Sequence, residues 1–369
     1  MLPAGNAIGS TGDESHTRKD CTGIRKMQIR QATAGEATEA TRKPRNEAPV
    51  FVLGCGRSGT TLLYHMILSA GDFAVYRTES NAINLLEPRF GDMRVRKNKE
   101  KLMDAWVDSK LFRVSGLDAC QIRERVLADC QNGGDFLRII MGEIARQQGV
   151  RRWADCTPEH LLHLPRIKET VPEALVIHII RDGRDVALST DRLGYIKRAP
   201  WDRKPSVMVA GLYWEWMVKR GREDGRSLGD NYTEVRFEEL INEPRATLRR
   251  LSHFIDHDLD YDRIQKVGIG SVSEPNTSFK EKSAGEKFSP LGRWRQGFSP
   301  ENLVMFEALV GPTLQELGYP LATTNAKQLD RPALKRMRAI YRKYFDYKLY
   351  LKSKTPLGKM LVTRDLSWL

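Results

Sequence analysis

Two short apolar runs along the chain, and a third candidate strand, are each followed by a polar turn and then by apolar positions at helical spacing. The first, Val50 to Leu53, runs into Gly54 to Thr61 and then into a helical pattern from Leu62. The second, Ala174 to Ile180 (ALVIHII), is followed by the charged turn Arg181 to Asp185 and a helical segment over Val186 to Leu193. The third, Asn231 to Phe237 (NYTEVRF), is followed by Asn242-Glu243-Pro244 and a helix to about Ile255. An unbroken apolar run suits a strand covered on both faces. Strands alternating with helices therefore predict an α/β fold, a three-layer domain around a central parallel sheet.

Between the strands the pattern is helical and rich in charge: Leu102 to Phe112, Ala119 to Gln148 and Ser206 to Lys219. Ser299-Pro300 opens a further helix that Gly318 ends, since proline suits the first helical turn and glycine the residue past the last. Lys280 to Ser289 is polar and without periodicity. Residues 1–47 contain no apolar signal-peptide core and read as a disordered leader. The folded domain is expected over 48–325, and 326–369 read as a basic amphipathic arm. There Leu334, Met337, Tyr341, Tyr344 and Phe345 fall at helical spacing, while Arg331 to Lys354 carries nine Lys/Arg and one acid, Asp346. Such a helix has two uses: packing its apolar stripe on the domain, or lying on an anionic membrane surface.

Charge narrows the partners. Across 369 residues, 60 Lys+Arg against 47 Asp+Glu leave a formal charge of +13, which favours phosphorylated cofactors, acidic polymers or a membrane surface. The five cysteines, Cys21, Cys55, Cys120, Cys130 and Cys156, are odd in number, scattered and free of any C-x-x-C pair. Reduced thiols in a cytoplasm are expected, not a disulfide framework or a zinc site. No stretch approaches the roughly eighteen apolar residues of a membrane span. The expected location is thus cytoplasmic, with peripheral membrane contact through the basic arm. His160 with His163, and His253 with His257, lack an H-E-x-x-H context or a third ligand, and no metal is expected.

The first turn is the chemically informative one. A strand, a glycine loop and a helix N-terminus form an anion cradle, because backbone N–H groups converge there with the positive end of the helix dipole. Gly54-Cys55-Gly56-Arg57-Ser58-Gly59-Thr60-Thr61 nearly fits the nucleoside-triphosphate loop G-x-x-x-x-G-K-[ST]. Thr60, however, stands where a lysine would reach terminal phosphates, and the cation has moved to Arg57.

With a basic residue followed by Ser-Gly-Thr-Thr after a strand, the chain resembles the sulfotransferase superfamily, whose members use 3′-phosphoadenosine 5′-phosphosulfate (PAPS). A second signature of that family, a strand ending in Arg with a Ser eight residues on, matches Arg181 and Ser189. Glu234 to Leu240 resembles its V-R-Y-E-D-L strand, with Phe237 in place of Tyr, and Gly292 to Gly297 its late basic element. The resemblance runs in order over roughly 48–320. It implies a P-loop-like fold, with Arg57, Ser58, Gly59, Thr60 and Thr61 on the 5′-phosphosulfate, Arg181 and Ser189 on the 3′-phosphate, and Arg293 as reinforcement. Trp294 reads as a packing residue, not an adenine stacker.

Sulfuryl transfer needs cations and N–H donors at the leaving phosphate and a base at the acceptor. The phenol and steroid branch uses a histidine downstream of the loop, but none occurs between His65 and His160. The protein-tyrosine branch uses a glutamate beside a threonine about twenty residues past the loop, and Thr78-Glu79 supplies that pair, making Glu79 the candidate base on this resemblance. The competing role for Thr78, Glu79 and Ser80 is to cap a helix starting near Asn81. One departure stands out: relatives carry Lys-Thr-Pro before the second signature, whereas this chain has Cys156-Thr157-Pro158.

The resulting expectation is a PAPS-dependent sulfotransferase acting on a hydroxyl or amine, nearer the protein-tyrosine and carbohydrate branch. The acceptor, whether small molecule, carbohydrate, lipid or peptide, is left open, and no nucleic-acid partner is expected. The alternatives are a small-molecule kinase, weakened by the missing lysine, and a non-catalytic nucleotide- or membrane-binding relative, for which Cys156 speaks.

Overall fold

The computed structural model describes residues 44–194, 196, 198–199, 202–273, 289–324 and 331–358. Of the expected leader, 1–47, residues 1–43 lie outside the described residues, as does most of the polar stretch before Ser289, while Arg45 is tied to the domain by a bond to the Phe254 carbonyl at 3.0 Å.

Four parallel strands form the central sheet: β1 (Val50–Leu53), β2 (Ala154–Asp155), β3 (Leu175–Ile180) and β4 (Tyr232–Arg236), in the spatial order β2-β1-β3-β4. Val50 aligns with Ala154 on one side and Leu175 on the other, and Ile180 with Arg236. β1 and β3 are wholly buried, and their successive side chains enter two separate cores. Phe51, Leu53, Val176 and Ile180 face one core, while Val50, Val52, Leu175, Ile177 and Ile179 face the other. Opposite pointing of neighbouring strand residues thus explains why these runs are apolar without alternation: both faces are covered, as a three-layer fold requires.

The longer helices are α1 (Thr60–Ser69), α2 (Arg96–Val107), α3 (Ala119–Asp129), α4 (Gly133–Gln147), α5 (Gly183–Arg192), α6 (Ser206–Gly225), α7 (Pro244–Ile255), α8 (Pro300–Glu316) and α9 (Arg331–Lys354). α1 and α7 cover one face through Leu63, Ile67, Leu248 and Leu251, and α4, α6, α8 and α9 build the core on the other. Two of the stretches with a helical pattern are divided by N-capping chemistry. Ser109 Oγ accepts from the Phe112 N–H at 3.3 Å and restarts the chain after α2, and Asn132 Oδ1 accepts from Asp135 N–H at 2.9 Å between α3 and α4. α8 begins and ends as its proline and glycine predict, with Ser299 as N-cap and Gly318 at φ 77°.

The apolar stripe of α9 is committed to the domain. Met337, Tyr341 and Phe345 are buried in the larger core, and Trp216 Nε1–H donates to Asp346 at 2.9 Å. Among the described residues no helix is long and apolar enough to cross a membrane.

Candidate functional site

The chain leaves β1, crosses to β2 on one side, and returns to β3 on the other. The crevice between the C-terminal ends of β1 and β3 is therefore a topological switch point, where open α/β sheets bind ligands. Both motifs converge there. A Cβ on Gly54 would lie 2.5 Å from the Ile179 carbonyl oxygen, so the loop can cross β3 only on a glycine. Gly59 has φ 96° and abuts the Phe237 ring, leaving no room for a side chain. Arg57 also takes a left-handed conformation, φ 75°, which is uncommon outside glycine and asparagine. The loop thereby delivers the first N–H groups of α1 to the crevice.

Arg181, at the end of β3, reaches back over this loop. It donates to the Arg57 carbonyl oxygen at 3.1 Å and to the Pro290 carbonyl, and its guanidinium stacks on Phe237 at 4.6 Å. Arg57 Nε in turn donates to Ser189 Oγ at 3.0 Å. Asp185 accepts from the Gly292 and Trp294 N–H groups, both at 2.9 Å, and so ties Arg293 to the same place. Trp294 is packed between the Arg184 and Arg295 guanidiniums at 3.8 and 4.6 Å, a structural position as expected. Burial first, then the nearby Arg192 and Arg181 cations, pull the Arg293 guanidinium below its ordinary value. Burial likewise lowers Arg181, although Asp185 and Glu238 oppose the shift.

Two buried polar atoms at this crevice have no hydrogen-bond partner: Ser58 Oγ and Arg181 Nε. A hydroxyl and a guanidinium N–H left unpaired beside clustered arginines are what an anionic group would satisfy. The residues therefore fit an anionic group held in this crevice. At the position where a triphosphate enzyme needs its lysine, Thr60 is buried and its hydroxyl hydrogen-bonds the Cys156 thiol.

On the far side of Thr61 the loop opens into a cavity of about 330 Å³ lined by Thr61, Tyr64, His65, Arg77, Glu79 and Cys156. Glu79 is open to water there, yet protein surrounds its carboxylate on the other sides. That burial first, then the Asp155 and Glu159 carboxylates, push it up to about 7. Glu79 caps nothing: Asn81, at φ 52°, precedes a π-helical turn over Ala82–Leu86 that has no side-chain cap. Its neighbour is fixed from below. Ser80 N–H donates to Thr157 Oγ1 at 3.0 Å, and that hydroxyl donates to Asp155 Oδ1 at 3.2 Å. His160 Nε2 accepts from Ile83 N–H at 3.2 Å, so its Nδ1 carries the proton donated to Asp155 at 2.9 Å.

His65 lines the same cavity but is no base. Its Nδ1 accepts from the Ser271 N–H at 2.9 Å, which leaves the proton on Nε2. Cys156 is buried, and desolvation pushes its thiol well above the ordinary range, so it offers neither a cation nor a thiolate. Arg77 does supply a cation to this cavity. Among the described residues no group of His, Cys, Asp or Glu could hold a metal ion.

The structure thus brings Arg57, Ser58, Gly59, Arg181, Ser189 and Arg293 to one side of the loop, and Thr61 with Glu79 to the other. Sequence reasoning did not single out Asp185, Arg192, Arg77 or the Asp155-Thr157-Ser80 support. Asp185 sits four residues after Arg181, one helical turn, and that spacing was the available signal.

A model of the sulfotransferase family matches residues 49–261, more than half of the chain, and the chain belongs to that family. Sulfuryl transfer is the general chemistry of this membership. Among solved structures the chain is similar to the sulfotransferase domain of the Synechococcus PCC 7002 olefin synthase, with 20% identity and a TM-score of 0.47 over 70% of this chain and 90% of that one. It is similar to the sulfotransferase domain of the curacin biosynthetic pathway, with 15% identity and a TM-score of 0.48 over 76% and 100%. Mouse sulfotransferase SULT7A1 complexed with PAP is similar at 14% identity and a TM-score of 0.38 over 82% and 92%. No curated protein sequence matches the chain significantly.

Proposed function

We propose that the chain transfers a sulfuryl group from PAPS to a hydroxyl or amine. The observation that carries this reading is the pair of unpartnered buried groups, Ser58 Oγ and Arg181 Nε, in one arginine-rich crevice. They suit a nucleotide bearing anionic groups at two positions. Arg181, Ser189 and Arg293 would hold the 3′-phosphate, and the N–H groups and hydroxyls from Ser58 to Thr61 the 5′-phosphosulfate. When bound, PAPS supplies an activated sulfuryl group that parts from its phosphate oxygen.

Arg57, at the junction of the two sides, meets the charge that grows on the leaving phosphate. Its loss is expected to cost about 3–4 kcal/mol of transition-state stabilisation. Glu79, raised to about 7, takes the proton of the acceptor across the shared cavity. Arg77 stands in that cavity as the cation that Cys156 does not provide. The acceptor class is left to the helical insertions around the cavity.

The test is a thermal-shift titration with 3′,5′-ADP beside 5′-ADP and ATP with magnesium. A ligand at a hundred times its Kd adds about 2.7 kcal/mol of stability. A shift with 3′,5′-ADP alone, abolished by Arg181→Ala, supports the reading; a shift with ATP alone overturns it in favour of a kinase. The buried thiol at position 156 favours a second reading, a relative that binds the nucleotide without turnover. Glu79→Gln separates the two, because an enzyme loses turnover while keeping nucleotide affinity and a binder loses nothing.

A further inference from the structure

We propose that α9 is a membrane-apposed helix, through whose outward face the chain binds the surface of an anionic lipid bilayer.

α9 is held in one orientation. Besides its buried Met337, Tyr341 and Phe345, Arg338 pairs with Glu215, Lys352 Nζ lies 2.8 Å from Glu159, and the Tyr341 hydroxyl donates to Asp202 at 2.6 Å. The side opposite these contacts is therefore fixed toward solvent. Arg336, Ile340, Lys343, Tyr347, Tyr350 and Lys354 follow one another at steps of three or four and line that side. All six are exposed, with Ile340 44%, Tyr347 59% and Tyr350 56% accessible.

Charge on this helix is sorted by face. The inward cations Arg338 and Lys352 are neutralised by Glu215 and Glu159, and the one acid, Asp346, turns to Trp216 and lies 3.7 Å from Arg220. The outward face of the helix carries three cations and no carboxylate of its own, and none of the three is in an ion pair among the described residues, although Lys354 at the helix end lies near Glu169 of the domain. Its cations are complementary to anionic headgroups. Ile340 and the two tyrosines between them suit the boundary of headgroup and acyl chain, where tyrosine is enriched. A nucleic acid would use the cations but offers an aliphatic side chain no hydrocarbon. Because the helix is already folded and docked, binding does not carry the ordering cost of a free amphipathic segment.

The experiment uses the full chain and vesicles of phosphatidylcholine with or without roughly one-third phosphatidylserine. Sedimentation with the anionic vesicles, weakened by high salt, is expected, and little with pure phosphatidylcholine. Arg336→Gln, Lys343→Gln and Lys354→Gln together are expected to weaken it about a hundredfold, at about fivefold for each cation. Ile340→Ser, Tyr347→Ser and Tyr350→Ser, which keep every charge, are expected to weaken it as well. Both triple variants change only outward side chains, and unchanged melting curves show that the domain is intact. Absence of binding to anionic vesicles overturns the proposal. So does full binding by the serine variant, which reports charge alone, or tighter binding of a short DNA duplex than of the vesicles.

Discussion

Arg57 and Ser189 stand 132 positions apart in sequence, yet Arg57 Nε donates to Ser189 Oγ at 3.0 Å. One contact thus joins the loop after β1 to the helix after β3, across the switch point of the sheet. Ser189→Ala removes both this bond and a hydroxyl on the proposed 3′-phosphate side. A hydrogen bond to a charged group contributes about 1.5–3 kcal/mol, so the Kd for 3′,5′-ADP is expected to rise by about ten- to a hundredfold. Calorimetric titration reads it, and the weak binding of 5′-ADP, which lacks the 3′-phosphate, should stay unchanged.

Arg184, three residues after Arg181, is structural. Arg184 and Glu307 are both 1% exposed and lie 2.7 Å apart, and Arg184 also holds Asp182 at 2.7 Å. Glu307 further accepts from Ala322 and Thr323 N–H groups at 3.0 and 2.9 Å. Glu307→Ala leaves a buried guanidinium short of a partner and is expected to cost about 3–5 kcal/mol in urea unfolding. Since Arg184 supports Trp294, the loop carrying Arg293 should loosen and nucleotide affinity fall in the folded fraction.

β1 and β3 and the turns after them were legible because each is local: an apolar run of four to seven residues, then a turn whose glycines and cations sit at set spacings. β2 was not, since two residues, Ala154 and Asp155, carry no period. The breaks at Ser109 and Asn132 lay inside helical patterns and showed only as capping residues. In the arm, periodicity found the apolar stripe of α9 but not which surface it meets, because packing on a core and on a membrane demand the same spacing. Glu79 could be nominated by resemblance, but its poise near neutrality depends first on burial and then on Asp155 and Glu159, which the fold alone brings about.

The cysteines separate by burial. Cys55 and Cys130 are both pushed up to about 12, chiefly by desolvation, and Cys156 is also raised, whereas Cys120 is exposed. Among the described cysteines, iodoacetamide at pH 8 is therefore expected to label Cys120 and spare Cys55, Cys130 and Cys156 in the native protein, as peptide mass spectrometry would read. Labelling of Cys156 under native conditions would contradict the buried, hydrogen-bonded thiol. Cys156→Ser, which keeps the partner of Thr60, should leave turnover essentially unchanged because the sulfur takes no part in transfer.

Glu79 makes opposite demands on activity and stability. As the base it must be ionised, so kcat/KM is expected to fall about tenfold per pH unit below about 7 and to level off above. For stability the sign is reversed. Its folded pKa lies above the ordinary 4.5, so between those values the native state holds a proton that the unfolded chain has released. Stability therefore declines as pH rises from about 4.5 through about 7, and the ionised group is a net cost above that window. Glu79→Gln, which mimics the protonated carboxyl, is expected to melt at the same temperature as the parent near pH 4 and at a higher one at pH 8. Equal melting at both values would show that the carboxylate is solvated in the cavity, and would remove the physical basis for its role as a base poised near neutrality.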